Sequence, residues 1–71
     1  MKIYAKNELY DYMAKRFISI MDLHKGTGLS LAGVRLIIKR KTGVSMESAK
    51  KICHFLEIEF DQGFEIVGRE S

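Results

Sequence analysis

The segment from residue 19 to residue 41 constrains the fold of this chain more than any other part of the sequence. It opens with Ser19 and Asp22, a capping-box pattern in which the serine hydroxyl accepts a hydrogen bond from a free backbone N–H at a helix start. Gly26 or Gly28 is expected to end this helix, since glycine takes the positive φ that a sharp helix exit requires. The pattern therefore predicts a short helix followed by a tight turn.

A second helix is predicted directly after this turn. Ser30 is its expected N-cap, and the helix should run from Leu31 to about Lys39. The first helix is expected over residues 20–25. Two short helices joined by a glycine-containing turn make up a helix-turn-helix unit, which is predicted here at about residues 19–39.

Apolar residues recur at helical spacing on both sides of this unit. Before it, Asn7 is the expected N-cap of a helix that ends near Arg16. The apolar stripe of that helix consists of Leu9, Tyr12, Met13 and Phe17. After the unit, Ser45 is expected to cap a helix over residues 46–55. The inner stripe of this later helix consists of Ala49, Ile52, Cys53 and Leu56. Because the chain also contains no proline, an all-α fold is predicted.

The chain has 71 residues, which is enough for one domain near the lower size limit for folding without disulfides or metals. We expect an N-terminal arm at residues 1–6, a helical domain at 7–67 and a loose C-terminus at 68–71. A single cysteine excludes an internal disulfide. No apolar run of about 18 residues is present, so no membrane span or membrane partner is expected, and a cytoplasmic location is predicted.

The charged residues are distributed unevenly along the sequence. Residues 1–56 contain eleven Lys and Arg but only four Asp and Glu, whereas residues 57–71 contain one Arg and five acids. A basic body followed by an acidic tail is typical of a protein that binds a polyanion. A solvated surface with no partner would show the same composition, so charge alone does not decide the function.

The helix-turn-helix segment resembles the lambda-repressor-like (Xre-type) DNA-binding family. The residues that carry the resemblance are Ser19, Leu23, Gly28, Val34 and Ile37, which stand at the spacings of the family's helix cap, core leucine, turn glycine and two core aliphatics. The resemblance continues through the fourth helix and the loop after it, at residues 45–49 and 52–58, and through a short last helix at 61–64. It implies a compact domain of four to five helices, acting as a regulator in a phage or mobile-element genetic switch.

The family resemblance also implies that the second helix of the unit lies in the major groove of double-stranded DNA. A helical wheel places Val34, Ile37 and Ile38 on the core side of this helix. The outward side is expected to carry Ala32, Arg35, Leu36 and Lys39, with Leu31 at its border. This outward side is partly apolar, whereas base edges are most often read by polar side chains. Two hypotheses about the partner follow.

In the first hypothesis, the outward side binds DNA. Cationic side chains and the backbone N–H groups at two helix starts would hold phosphates, and the apolar side chains would contact thymine methyl groups. The residues assigned to this role are Ser19, Ser30, Leu31, Ala32, Arg35, Lys39, Arg40 and Lys41. A homodimer is a further expectation from the resemblance, with Phe55, Phe60 and Phe64 as candidate contacts that core packing would explain equally well.

In the second hypothesis, the same side binds a protein, such as a repressor whose activity the chain would modulate as an antirepressor. The apolar side chains would form the centre of that interface and the cations its polar rim. The residues assigned to this interface are Leu31, Ala32, Arg35, Leu36 and Lys39.

The sequence contains no arrangement of residues that is typical of an enzyme or a cofactor site. It has no phosphate-binding glycine loop and no apparent Ser-His-Asp or Cys-His set. His24 and His54 provide too few ligands for a zinc site, and His24 is expected to be partly buried and hydrogen-bonded instead. Cys53 is expected to be an inert buried side chain. No enzyme activity, metal, cofactor or small-molecule substrate is therefore predicted.

Overall fold

The computed structural model describes residues 2–68, and they form five helices and two short strands. In chain order these are β1 (Lys2–Ala5), α1 (Asn7–Lys15), α2 (Ile20–Thr27), α3 (Leu31–Ile38), α4 (Met46–Leu56), α5 (Phe60–Gly63) and β2 (Phe64–Val67). The predicted compact, mainly helical domain is confirmed, with a small two-stranded sheet added to it. Most of the predicted loose C-terminus, residues 69–71, lies outside the described residues.

Three serines begin helices through the same hydrogen bond. The hydroxyl oxygens of Ser19, Ser30 and Ser45 each accept a hydrogen bond from the backbone N–H three residues later, at 3.0 to 3.1 Å. Asp22 completes the capping box by accepting from the Ser19 N–H at 2.9 Å. The three predicted caps are thus confirmed. The predicted cap at Asn7 is wrong, because this residue is already helical and no side-chain bond caps α1.

The exit from α2 uses the second of the two candidate glycines. Gly28 has φ +80°, and its N–H donates to the carbonyl of His24. A left-handed residue at this position turns the chain sharply towards α3. Gly26 lies inside the helix, so α2 is two residues longer than the sequence predicted.

The core consists of the apolar faces of these helices together with one residue from each strand. Its buried members are Ala5, Leu9, Met13, Leu23, Val34, Ile37, Ile38, Ala49, Ile52, Cys53, Leu56 and Phe64. The predicted inner stripes of α3 and α4 are therefore confirmed. Burial raises the pKa of the Cys53 thiol, with the charge of Glu59 adding to this effect, which agrees with an unreactive side chain.

The expected N-terminal arm is instead a strand. β1 pairs antiparallel with β2, with Lys2 opposite Val67 and Ala5 opposite Phe64. Ile3 also bridges to Val44 in the loop before α4. These partners are distant in sequence, so no local pattern near residues 1–6 indicates the pairing.

The stripe predicted for α1 is correct for Leu9 and Met13 but wrong for Phe17. The helix ends at Lys15, and Phe17 adopts a left-handed conformation with φ +59°. Its side chain is 93% exposed. Ile18 continues the turn by donating its N–H to the Met13 carbonyl, and it packs against the core in place of Phe17.

Candidate nucleic-acid interface

One side of α3 is exposed along its whole length. Ala32, Arg35, Leu36 and Lys39 are all exposed, while Leu31 at the border is half-buried. Residues spaced three, four and seven positions apart share one helix face, so the four exposed side chains form a single stripe. The core side chains of α3 lie on the opposite side. The structure thus places these predicted residues together, and we call the four exposed residues the α3 stripe.

The α3 stripe is apolar at one of its central positions. Leu36 is 46% exposed and lies on the side of the helix opposite the core. The three buried residues Val34, Ile37 and Ile38 fix the rotation of the helix. Arg35 and Lys39 flank Leu36 on the same face and provide the two positive charges of the stripe.

The turn between α2 and α3 is held by side-chain hydrogen bonds. His24 Nδ1 lies 2.5 Å from the carbonyl oxygen of Leu29, and since a carbonyl only accepts, the proton must be on Nδ1. The Thr27 hydroxyl donates to the Leu23 carbonyl at 2.7 Å and accepts from the Leu29 N–H at 3.2 Å. The predicted partly buried, hydrogen-bonded His24 is confirmed. These contacts fix the orientation of α3 relative to α2.

The two helix starts that were predicted to hold phosphates differ in charge. The start of α2 carries the Asp22 carboxylate, and its hydrogen bonds from the backbone N–H and the side chain of Ser19 hold the pKa of that carboxyl below its usual range. A negative charge therefore already occupies this helix start. The first turn of α3 contains no acidic residue. Its free N–H groups make the Ser30 end the better of the two anion sites.

The predicted cations also differ in how available they are. Arg35, Lys39 and Lys41 are exposed. Arg40 is half-buried, and its guanidinium donates to the Ala5 carbonyl at 3.0 Å and to the Glu65 carboxylate at 2.6 Å. It also lies 5.8 Å from the centre of the Tyr4 ring. The structure thus assigns Arg40 to joining α3 to the sheet and leaves the other three cations at the surface.

A family model for the Cro/C1-type helix-turn-helix DNA-binding domain matches residues 8–67. The chain belongs to this family. The match spans α1 from its second residue, the other four helices and the whole of β2, so it covers the α3 stripe and the turn before it. No curated protein and no solved structure matches the chain significantly.

Membership of the Cro/C1-type family supports a regulator that binds double-stranded DNA. Among residues 2–68, no group of three or more potential metal-ligating side chains occurs. In the same part of the chain, none of the helices has the length and apolar character required to cross a membrane.

Proposed function

We propose that this Cro/C1-type domain regulates transcription by inserting the α3 stripe into the major groove of duplex DNA. The observation that carries the proposal is the exposure of Ala32, Arg35, Leu36 and Lys39 as one stripe, because the core fixes the rotation of the helix. An α-helix fits the width of the major groove, and it presents one face to the base edges. A phage or mobile-element switch is the genetic setting suggested by the family resemblance.

The cations supply the main attraction in this proposal. Arg35 and Lys39 lie on the stripe, and Lys41 follows the end of the helix. The free N–H groups at the Ser30 end of α3 would hold a phosphate of the backbone. Each phosphate contact releases counterions, so the affinity should fall steeply as salt is added.

The apolar side chains of the stripe, together with Leu31 at its border, would supply a limited sequence preference. Leu31, Ala32 and Leu36 offer no hydrogen-bond donor or acceptor, but they can contact the methyl group of thymine in the major groove. Arg35 and Lys39 are the side chains of the stripe that can contact the O6 and N7 atoms of guanine. We therefore expect modest discrimination between operators and a large contribution from non-specific binding.

A salt titration of binding to random duplex DNA tests this proposal. Wild type should bind with micromolar affinity at about 50 mM salt and lose most of it by about 200 mM. Arg35→Ala and Lys39→Ala should each flatten the plot of log affinity against log salt by about 0.9 for each phosphate that the variant no longer neutralises. Lys15→Ala on α1 is the matched control, because it removes the same charge from an exposed position that is not part of the α3 stripe. Slopes that stay at the wild-type value in both α3 variants would contradict the proposal.

The exposure of Leu36 favours one second candidate, an antirepressor that binds a partner repressor through the same stripe. A leucine that is half exposed at the centre of a binding face is well suited to a protein interface. In that case Leu36→Glu should abolish capture of the partner repressor from the native host while leaving the thermal unfolding temperature nearly unchanged. Retained capture by this variant would exclude the stripe as the protein interface.

A further inference from the structure

The end of α3 contains a left-handed residue that is not glycine. Arg40 has φ +59°. Its N–H donates to the Ile37 carbonyl at 3.1 Å, and the Lys41 N–H donates to the Leu36 carbonyl at 2.9 Å. In a helix ending with these two hydrogen bonds, glycine is favoured at the left-handed position because it has no Cβ atom to clash. Arginine is less favourable than glycine here, and what it adds is a long cationic side chain.

The Arg40 side chain reaches both strands of the sheet. Its Nη1 atom donates to the Ala5 carbonyl of β1 at 3.0 Å and to Oε2 of Glu65 on β2 at 2.6 Å. The guanidinium also lies 5.8 Å from the centre of the Tyr4 ring. Tyr4 and Glu65 stand opposite each other in the strand pairing, so their side chains share one face of the sheet. We call the contacts of Arg40 with Ala5, Glu65 and Tyr4 the Arg40 clamp.

A second contact joins the loop between α3 and α4 to the sheet. The Val44 N–H donates to the Ile3 carbonyl at 2.8 Å. The loop is thus held to β1 at Arg40 and at Val44, and Lys41 lies between these two points. Lys39 stands immediately before Arg40, and both lysines are exposed. The Arg40 clamp therefore fixes the backbone from which the two lysine side chains project.

We infer that Arg40 is a positioning residue for DNA binding and that Glu65 supports the affinity for DNA through it. Arg40 holds the end of α3 on the sheet, so Lys39 and Lys41 are already in place when a phosphate approaches. Groups that are ordered before binding lose less conformational entropy when the interface forms. The inference rests on the proposed insertion of α3 into the major groove, and it gives the two strands a part in that function.

The direction of the Glu65 effect separates this inference from simple electrostatics. An acid repels a polyanion, so removing Glu65 should tighten DNA binding if charge alone matters. Removing it would also free Arg40 to bind a phosphate, which is the role that the sequence predicted. Under the inference, the same change loosens the end of α3 and weakens binding. The ion pair is partly exposed, at 32% for the Arg40 side chain and 40% for that of Glu65, so its loss should destabilise the fold only slightly.

Binding of Glu65→Ala and Glu65→Gln to random duplex DNA at about 50 mM salt tests the inference. Both variants remove the same charge, but glutamine keeps an oxygen that can accept a hydrogen bond from Arg40. Glu65→Ala should bind about three- to tenfold more weakly than wild type, as expected when one member of a coupled pair is lost, and Glu65→Gln should lie between the two. Glu57→Gln is the control, because it removes an acid from an exposed position outside the clamp and should not weaken binding. Urea unfolding should first show that each variant is folded. Tighter binding by Glu65→Ala would overturn the inference.

A double-mutant cycle shows whether Glu65 acts through Arg40. Arg40→Asn removes the clamp, and asparagine tolerates the left-handed conformation of this position. In the Arg40→Asn background, Glu65→Ala should no longer weaken binding, since the contact that it breaks is already absent. A loss of affinity of the same size in both backgrounds would count against the inference.

The free protein provides a measurement that does not depend on DNA. Relaxation of the ¹⁵N amides should give order parameters of about 0.85 at Lys39 and Lys41 in wild type, the value of a rigid backbone, and lower values in Glu65→Ala and Arg40→Asn. A wild type that fails to bind DNA while both variants show this loosening would refute the proposed function but confirm that the clamp positions the two lysines. Order parameters that are unchanged in both variants would overturn the positioning role, whether or not the protein binds DNA.

Discussion

Replacing Phe17 by glycine should stabilise this domain. Phe17 adopts φ +59°, a left-handed conformation that costs a residue with a Cβ atom roughly 1–2 kcal/mol. Its ring is 93% exposed, so removing it should sacrifice almost no packing. Glycine adopts this conformation without the steric cost but loses about 0.4–1 kcal/mol through the greater freedom of the unfolded chain. The net gain in the free energy of unfolding should be about 0.5–1 kcal/mol.

Thermal and urea unfolding, followed by circular dichroism, would measure this gain. For a domain of this size the expected stabilisation corresponds to a rise in Tm of about 4 °C. Phe17→Ala is the first control, because it removes the ring but keeps the Cβ atom, and it should change the stability by less than about 0.5 kcal/mol.

Gly28→Ala is the second control and should act in the opposite direction. Gly28 has φ +80°, and an added Cβ atom would meet no atom within 4 Å, so only the backbone conformation opposes the methyl group. A loss of about 1 kcal/mol is expected. If Phe17→Gly and Phe17→Ala both destabilise the domain by more than about 1 kcal/mol, the ring contributes packing energy and the reasoning is refuted.

Two further predictions concern α2. The pKa of Asp22 is lowered in the folded state, so the carboxylate contributes stability that is present above its usual pKa and disappears as the pH falls through the folded value. Asp22→Asn should therefore destabilise the domain at pH 7 and have less effect near pH 3, and equal effects on the urea midpoint at the two pH values would contradict this. Gly26→Ala should improve the helix propensity of α2 but displace the Phe55 ring, which occupies the space that the added Cβ atom needs, so the two effects should nearly cancel and the Tm should change little. The nuclear Overhauser contacts between Phe55 and residue 26 should disappear. Their persistence would show that the ring position does not depend on the glycine.

The parts of the fold that depend on neighbouring residues could be predicted from the sequence. The hydroxyls of Ser19, Ser30 and Ser45 bond to an N–H three residues away. A glycine was expected to end α2 at position 26 or 28, and the structure uses Gly28. The apolar spacing in α3 also predicted which residues are buried, because one stripe of a short helix contains all of its large core side chains.

The sheet could not be predicted in the same way. Each of its strands has four residues, and the pairing of Ala5 with Phe64 spans almost the whole chain. The error at Phe17 has a related cause, since the apolar spacing continues beyond the point where the helix ends. No glycine stands between Lys15 and Ser19 to mark that end, and a bulky residue takes the left-handed position instead.

The candidate site was predictable in its outline but not in all of its members. The helical wheel identified the exposed residues of the α3 stripe, because exposure follows from the position of the core residues on the same helix. The cations assigned to DNA also included Arg40, whose side chain is held by the Ala5 carbonyl and Glu65. Both partners belong to the sheet, so the role of Arg40 becomes visible only when the strands are paired.

The most direct test of the central claim is a titration of ¹⁵N-labelled protein with duplex DNA, followed by two-dimensional NMR at low salt. If α3 lies in the major groove, the largest shifts should occur at the amides of Leu31, Ala32, Arg35, Leu36 and Lys39, with the Ser30 end of α3 included and α1 largely unaffected. Shifts confined to α4, or an unchanged spectrum at DNA concentrations well above those of the protein, would contradict the claim.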